Sequence, residues 1–360
     1  MLALRALLCG EDPIRRHTWK WIAGCVLICA LAVWLLYWFV ARRGFDWKLA
    51  AASLVHLRWG WLAASLVPIF GTYYNRALRW AVFLKPLKPR PSIRNLLSAT
   101  IIGFTAITLF GRPGEFVRPY LIAVKERVPV PSQLAAWVLE RIFDLLMALL
   151  VFAFALTRVH SPGVEVGARL AWVMNMGGQI VGVACVILLG ILLSLRHFAE
   201  PARRRLLAAF HFLPEAQFHR MERLIGAFVQ GVESTRSDGA LILVFLYSAV
   251  EWLLIAACYW SLARAFSGTL SLSLVDVLIF MGFVSFGAAI QIPGIGGGMQ
   301  VVSVLVLTEL FGVRLELATA FAFFIWILTF VAIVPIGLLL ALKEGLDWHA
   351  LRRIGDEAKT

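Results

Sequence analysis

The chain has 360 residues, of which 61% are hydrophobic and only 15% are charged. Soluble domains average roughly 45–50% apolar and about 25% charged residues, and a soluble domain of this size has too much surface to hide so many apolar groups. The net charge of +13 comes from 34 Lys and Arg against 21 Asp and Glu. These charges fall mostly between the apolar stretches, which indicates anionic lipid surfaces as the partner and argues against nucleic acid.

Long apolar stretches recur along the whole chain. A membrane-crossing helix needs about 20 largely apolar residues. Stretches of that kind occupy 19–41, 60–84, 133–157, 171–195, 240–266 and 316–342. We therefore predict an all-α polytopic membrane protein with about six full spans.

Two further apolar stretches are broken by glycine and proline. Ile93–Phe110 runs into Gly-Arg-Pro-Gly at 111–114, and the stretch 274–292 runs into Pro-Gly-Ile-Gly-Gly-Gly at 293–298. Such residues end a helix, and freed backbone groups are tolerated at membrane depth only against protein or a wet cavity. We predict a re-entrant or broken helical element at each break. Interrupted segments in two halves of a chain are typical of transporters with an inverted repeat, and these breaks fit such a repeat.

The basic residues between the spans predict an orientation. Six full spans place both termini on one side, and the positive-inside rule makes that side the cytoplasm. The predicted domains are a cytoplasmic segment 1–18, a single transmembrane domain 19–342 and a cytoplasmic tail 343–360. Segment 196–239 is predicted to be a cytoplasmic loop with an amphipathic helix on the leaflet. The alternative for this loop is a linker with a solvated run of charges.

Charged residues also occur inside the predicted spans and beside the first break, where a mid-bilayer charge costs about 2.5–3.5 kcal/mol on insertion scales. The candidate site residues among them are Arg76, Arg79, Arg112, Glu115, Arg118, Glu140, Arg141, Asp144 and Glu251. The structural interpretation is a set of buried ion pairs that lock helices together. The functional interpretation is a site for the phosphate of a lipid, because the planar fork of arginine binds phosphate with two parallel hydrogen bonds.

The glycine-rich break supplies a second set of candidates. A half-helix that begins there offers unpaired N–H groups and a partial positive charge to an anion, although glycine clusters also serve as packing devices. The predicted substrate site therefore includes Pro293, Gly294, Gly296, Gly297, Gly298 and Gln300. All seven His lie in predicted loops or tails. We expect no metal, no other cofactor and no His-dependent catalysis.

Several of these motifs resemble a known family. They are Gly-Arg-Pro-Gly-Glu-Phe-Val-Arg (111–118), Glu-Arg-Ile-Phe-Asp (140–144) and the glycine run at 293–298, and Arg-Ala-Leu-Arg-Trp (76–80) fits as well. Together they resemble the flippase-like membrane domain of bacterial lysylphosphatidylglycerol synthase/flippase proteins, over residues 20–342 or so. The resemblance implies translocation of a phospholipid, an aminoacylated phospholipid or a polyprenyl-linked lipid across the inner membrane.

The sequence departs from that family in two ways. It contains no counterpart of the soluble aminoacyltransferase domain, so we expect no lysyl-lipid synthesis and no enzyme activity. Gln300 stands where an acid is expected after the glycines. A charge-coupled step at that position therefore lacks its acid.

Three functions are compatible with these features. The preferred one is an inner-membrane translocase for a phospholipid or a lipid-linked, phosphate-bearing substrate, with anionic phospholipid or polyprenyl-linked lipid as its partner. The alternative is an accessory membrane protein that presents a lipid-linked intermediate to enzymes of glycolipid or envelope biosynthesis. An intramembrane transferase with Glu140 or Asp144 as general base is less favoured, because no donor-binding domain is visible.

Overall fold

The computed structural model describes residues 45–55, 57–159, 215–232, 237–287, 291–292 and 296–345, together with isolated positions between 183 and 207. The described residues confirm an all-α membrane protein. The predicted span 19–41 lies outside them, as does most of 171–195.

The helices are numbered in chain order. They are α1 (Trp47–Val55), α2 (Trp59–Leu84), α3 (Ile93–Phe110), α4 (Val117–Glu126), α5 (Val130–Val159), α6 (Glu215–Val232), α7 (Asp238–Ala265), α8 (Leu274–Gly287), α9 (Gly298–Glu309), α10 (Leu315–Trp326) and α11 (Val334–Lys343). The connections with regular structure are a 3₁₀ turn (Arg112–Phe116), an antiparallel pair of β1 (Gln291–Ile292) with β2 (Gly296–Gly297), and a π-helical turn (Ile327–Val331).

Helical stretches long and apolar enough to cross a membrane are present. Within the described ranges, three meet this description by length and composition, namely Ile93–Phe110, Asp238–Ala265 and Leu315–Lys343. Two other helices have the required length: α2 has 26 residues and α5 has 30. Both carry charged side chains, and most of these side chains form the candidate site described below.

Helices α2 and α7 pack side by side and run in opposite directions. The Arg58 N–H, before α2, donates to the Ala265 carbonyl at the end of α7 at 2.9 Å. Farther along, the Asn75 amide donates to the Tyr247 carbonyl at 2.8 Å. The end of α2 therefore lies beside the start of α7. We call this the basic end, after the connection 85–92, and the end with Arg58 the far end.

The first predicted break forms a helical hairpin, residues 93–126, which we call hairpin 1. Ser92 caps α3 by accepting the Asn95 N–H at 3.4 Å. The carboxylate of Glu126, at the end of α4, accepts the Ser92 N–H at 3.2 Å and the Asn95 amide at 2.8 Å. Both ends of the hairpin thus lie at the basic end. Although Ile93–Phe110 is long enough to cross a membrane, the chain turns back at the predicted break and returns to the basic end.

The second predicted break forms hairpin 2, residues 274–309. The rings of Phe152 on α5 and Phe283 on α8 lie 5.0 Å apart, while Ile279, earlier on α8, packs near Leu156, later on α5. Helix α8 therefore runs antiparallel to α5, inward from the far end. Gly287 at the end of α8 faces the start of α9, so α9 returns towards the far end.

The last predicted span, 316–342, is not one regular helix. It is divided into α10, the π-helical turn and α11. The interruption precedes Pro335, whose ring clashes with the carbonyl four residues earlier and which has no N–H to donate. That carbonyl belongs to Val331, the last residue of the π-helical turn. The stretch is long and apolar enough to cross a membrane, as predicted, and proline explains why its helix is not regular throughout.

The π-helical turn contacts both hairpins. Thr108, in the last turn of α3, donates to the Phe330 carbonyl at 3.0 Å. The hydroxyl of Tyr73 on α2 donates to the Thr329 carbonyl at 3.3 Å. The Thr329 hydroxyl lies 3.9 Å from the sulfur of Met299, in the first turn of α9. The two hairpin tips therefore approach the same irregular turn from opposite ends of the bundle.

The order of elements repeats with reversed polarity. The first half contains a helix running to the basic end (α2), a hairpin entering from that end, and a helix running back (α5). The second half contains a helix running to the far end (α7), a hairpin entering from there, and the α10–α11 helix, whose end is held at the basic end by a Lys125–Glu344 ion pair of 2.6 Å. This is the arrangement of an inverted repeat.

The amphipathic segment predicted in the loop 196–239 is a helix, α6. Its last turn packs on the start of α5, where Val232 and Phe228 contact Ala135. Its apolar face thus meets protein near the basic end. The prediction that it lies on the leaflet stays a prediction.

Candidate functional site

The predicted intramembrane charges meet in one cluster inside the bundle. Four helices supply its members, which are Arg76 and Arg79 on α2, Arg118 on α4, Glu140, Arg141 and Asp144 on α5, and Glu251 on α7. We call these seven residues the charged cluster. The spacing of three between Arg76 and Arg79, and of four between Glu140 and Asp144, places each pair on one helix face.

Arg79 is the most connected member. Its side chain has no exposed surface, and its guanidinium lies 2.5 Å from Glu140 and 2.7 Å from Asp144. The same group lies 3.2 Å from Glu251 and donates to the Ser248 hydroxyl at 2.9 Å. One arginine therefore ties α2 to both α5 and α7.

The other three arginines each meet at least one of the same carboxylates. Arg76 pairs with Glu251, and Arg118 pairs with Glu140. Arg141 lies 2.9 Å from Asp144. Its side chain is 39% exposed, so the cluster reaches the surface of the described structure on the α5 side.

Aromatic rings support two of the guanidinium groups. The Arg118 guanidinium carbon lies 4.3 Å from the Trp80 ring centroid and 5.5 Å from that of Phe104. The Arg76 guanidinium carbon lies 4.6 Å from the same Phe104 ring. Cation–π contacts of this kind are strongest where water is excluded. No charge or motif in the sequence points to Phe104, so sequence reasoning missed it.

Gly103 was missed for the same reason. A Cβ at this position would lie 2.5 Å from the Cβ of Arg118 and 3.2 Å from its Cα. Only glycine therefore lets α4 approach α3 closely enough to hold Arg118 beside Phe104. In the sequence this residue is one small side chain in an apolar run.

The charged cluster has more positive charge and more donors than its own acids use. Four guanidinium groups face three carboxylates, so one net positive charge remains when all seven are ionised. Five buried arginine nitrogens of the charged cluster have no hydrogen-bond partner, namely the Nε of Arg76, Arg79 and Arg141 and an Nη of Arg76 and of Arg118, against two such carboxylate oxygens, an Oε of Glu140 and of Glu251. Buried donors are nearly always satisfied in folded proteins. Unmet donors beside an excess positive charge can bind an oxyanion.

The remaining residues of the first motif lie at the tip of hairpin 1. Arg112 is 51% exposed and lies 2.5 Å from Glu115, one turn later. The Glu115 side chain is almost buried. The structure thus pairs these two residues with each other, while Arg118 from the same motif joins the charged cluster.

The second set of candidates lies at the tip of hairpin 2. Gly297 has a φ of 144°, a conformation that favours glycine. The Gln300 side chain accepts the Gly297 N–H at 2.7 Å and so caps the start of α9. Gly296 and Gly298 flank that cap, and Pro293 and Gly294 lie outside the described residues. The residue that replaces the expected acid therefore has a structural role at the tip.

No group of His, Cys, Asp and Glu that could hold a metal ion occurs among the residues that the structure describes. The acids of the charged cluster face arginines instead. The fold and the site together define a polytopic α-helical membrane domain with opposed hairpins and a buried, positively charged cluster.

The comparisons with known proteins place the chain in a family. The family model described as the lysylphosphatidylglycerol synthase TM region matches residues 21–337. The chain belongs to that family, and it is accordingly a membrane domain related to lipid handling. No curated protein matches it, and no solved structure does.

Proposed function

We propose that this protein translocates a phospholipid, or another lipid-linked substrate that bears phosphate, across the inner (plasma) membrane. The observation that carries the proposal is the excess positive charge of the charged cluster together with its unpartnered buried N–H groups. A buried charge that is not compensated is costly. The phosphate of a lipid would supply both the missing charge and the missing acceptors.

The two hairpins support movement of that lipid rather than simple binding. They enter from opposite ends and meet at the π-helical turn, where Tyr73 donates to Thr329. Tyr73 lies one helical turn before Arg76, so this junction is next to the charged cluster. In transporters with inverted repeats, the halves rock about a site of this kind and open it to each side in turn.

The proposal includes an orientation and a set of partners. The basic end would face the cytoplasm, because Lys85, Lys88 and Arg90 collect there, and both termini would lie on that side. The protein would act without enzymatic turnover and without a cofactor. Its partners would be membrane lipids, either anionic phospholipid or polyprenyl-linked lipid.

Reconstituted vesicles test the proposal. Purified protein is placed in liposomes with a fluorescent phospholipid, and an impermeant reductant reports how fast the label reaches the outer leaflet. The parent should move lipid faster than protein-free vesicles. Glu140→Gln removes an acid that holds Arg79 and Arg118, and the rate should fall by roughly tenfold. Glu309→Gln, at an exposed acid on α9, is the matched control and should keep the parent rate.

Two results would contradict the proposal. Movement that requires added biosynthetic enzymes would favour the accessory role. The second result concerns stability, so the melting temperature is measured on the same preparations. If Glu140→Gln lowers melting temperature and transport in proportion, the charged cluster is structural.

A further inference from the structure

We propose that the charged cluster binds one singly charged phosphate-type oxyanion between the guanidinium groups of Arg76 and Arg118, beside the ring of Phe104. This proposal rests on the proposed function, since it names the ligand chemistry of the same site. It adds a position for the anion, a limit on its charge and an aromatic residue that positions the two arginines.

The position follows from unmet donors. An Nη of Arg118 is buried and has no hydrogen-bond partner, and only 4% of this side chain is exposed. The Nε and an Nη of Arg76 are also buried without a hydrogen-bond partner. The guanidinium of Arg118 pairs with Glu140 and that of Arg76 with Glu251, while the Nη of Arg76 that makes no hydrogen bond lies 4.0 Å from Asp144. Each therefore keeps further donors for a second acceptor.

The aromatic ring explains why these donors stay available. Phe104 lies 4.6 Å from the Arg76 guanidinium carbon and 5.5 Å from that of Arg118. A ring contacts the face of a guanidinium and accepts none of the in-plane hydrogen bonds. Phe104 therefore supports both groups while leaving their N–H edges to an oxyanion. Because it acts through the arginines, it is a positioning residue.

The charge limit follows from the ion count. Four guanidinium groups against three carboxylates leave one positive charge. A single negative charge neutralises this excess, whereas a double charge would leave an uncompensated anion in a buried site. A phosphodiester carries one negative charge at neutral pH. A phosphomonoester carries nearly two, because its second pKa is about 6.

The binding experiment compares two lipids with the same acyl chains, phosphatidylglycerol and phosphatidic acid. The protein is purified in neutral detergent, and affinity is taken from the ligand-dependent rise in melting temperature. At pH 8 phosphatidylglycerol should bind roughly tenfold more tightly than phosphatidic acid. At pH 5, where both lipids carry about one negative charge, the preference should disappear.

Variants locate the anion. Arg118→Gln and Phe104→Leu should each weaken phosphatidylglycerol binding by roughly tenfold, while Arg90→Gln, at an exposed loop arginine, should bind like the parent. Arg118→Lys keeps the charge but loses the planar fork. It replaces Arg118→Gln in the binding measurement if Arg118→Gln does not fold. Equal affinity for the two lipids at pH 8 would overturn the proposal, as would parent-like binding by both Arg118→Lys and Phe104→Leu.

Two further arms identify the source of the oxyanion. Inorganic phosphate and a glycerophosphodiester without acyl chains are titrated at pH 5 in place of the lipids. A rise in melting temperature with phosphatidylglycerol alone supports a lipid headgroup. A rise with inorganic phosphate supports a free anion at the same position. Charge-selective binding without lipid movement in vesicles would leave this inference standing and reject translocation.

Discussion

Replacing Arg79 by methionine tests whether the charged cluster stabilises the fold. Arg79 is fully buried and lies within 3.2 Å of Glu140, Asp144 and Glu251. Removing one partner of a buried ion pair typically costs about 3–5 kcal/mol, because the remaining charge stays buried without compensation. We therefore expect Arg79→Met to lower the free energy of unfolding.

The remaining contacts set the magnitude within that range. After the substitution, Glu140 still pairs with Arg118, and Asp144 with Arg141 at 2.9 Å. Glu251 keeps Arg76. No acid is left without a cation, so we expect the lower limit, a loss of about 3 kcal/mol. This corresponds to a change of roughly a hundredfold in the unfolding equilibrium.

The assay is equilibrium unfolding in mixed detergent micelles, followed by tryptophan fluorescence. Arg79→Lys should be intermediate, because a single ammonium keeps the charge but cannot span three carboxylates in the way the fork does. Arg90→Met, at an exposed position, controls for the loss of a positive charge. If Arg79→Met unfolds at the same denaturant concentration as the parent protein, the ion pairs of Arg79 do not stabilise the fold and the reasoning fails.

Two more predictions concern the hairpin and the orientation. Gly103→Ala places a methyl group 2.5 Å from the Arg118 Cβ and should destabilise the protein by about 1–3 kcal/mol. Gly226→Ala, where nothing lies within 4 Å, should not, and equal melting temperatures for the two would contradict the close contact. Cysteines placed in the 85–92 connection should resist an impermeant thiol reagent added to intact cells, while those in 267–273 should react. The reverse pattern would reverse the proposed orientation.

Most of the architecture could be predicted from the sequence, because the bilayer imposes strict rules. Lipid cannot hydrogen-bond to the backbone, so long apolar stretches must be helical. For the same reason, Gly-Arg-Pro-Gly at 111–114 had to mark a break protected by protein. The start and end of α2 agree with the predicted span 60–84 to within one residue. The span 316–342 is present, but its interruption was not predicted, because proline acts on a carbonyl four residues away and hydropathy does not register that effect.

The candidate site was predictable only in part. Charges in apolar runs are conspicuous, so Arg79, Glu140 and Glu251 could be identified from the sequence alone. Their pairing could not, because it depends on which helix faces are brought together across long separations in sequence. Phe104 and Gly103 carry no signal of their own, since phenylalanine and glycine are common in apolar helices.

The sequence by itself determined that this protein is helical, membrane-embedded and interrupted at two points, because composition and hydrogen-bonding requirements act locally along the chain. Only the tertiary structure decided that the two hairpins enter from opposite ends and that Arg112 pairs with Glu115 while Arg118 joins Arg79 around Glu140. It also decided the surplus of one positive charge, which is a property of seven side chains from four helices. Such a surplus exists only once packing has excluded water and brought those side chains within a few ångströms of one another.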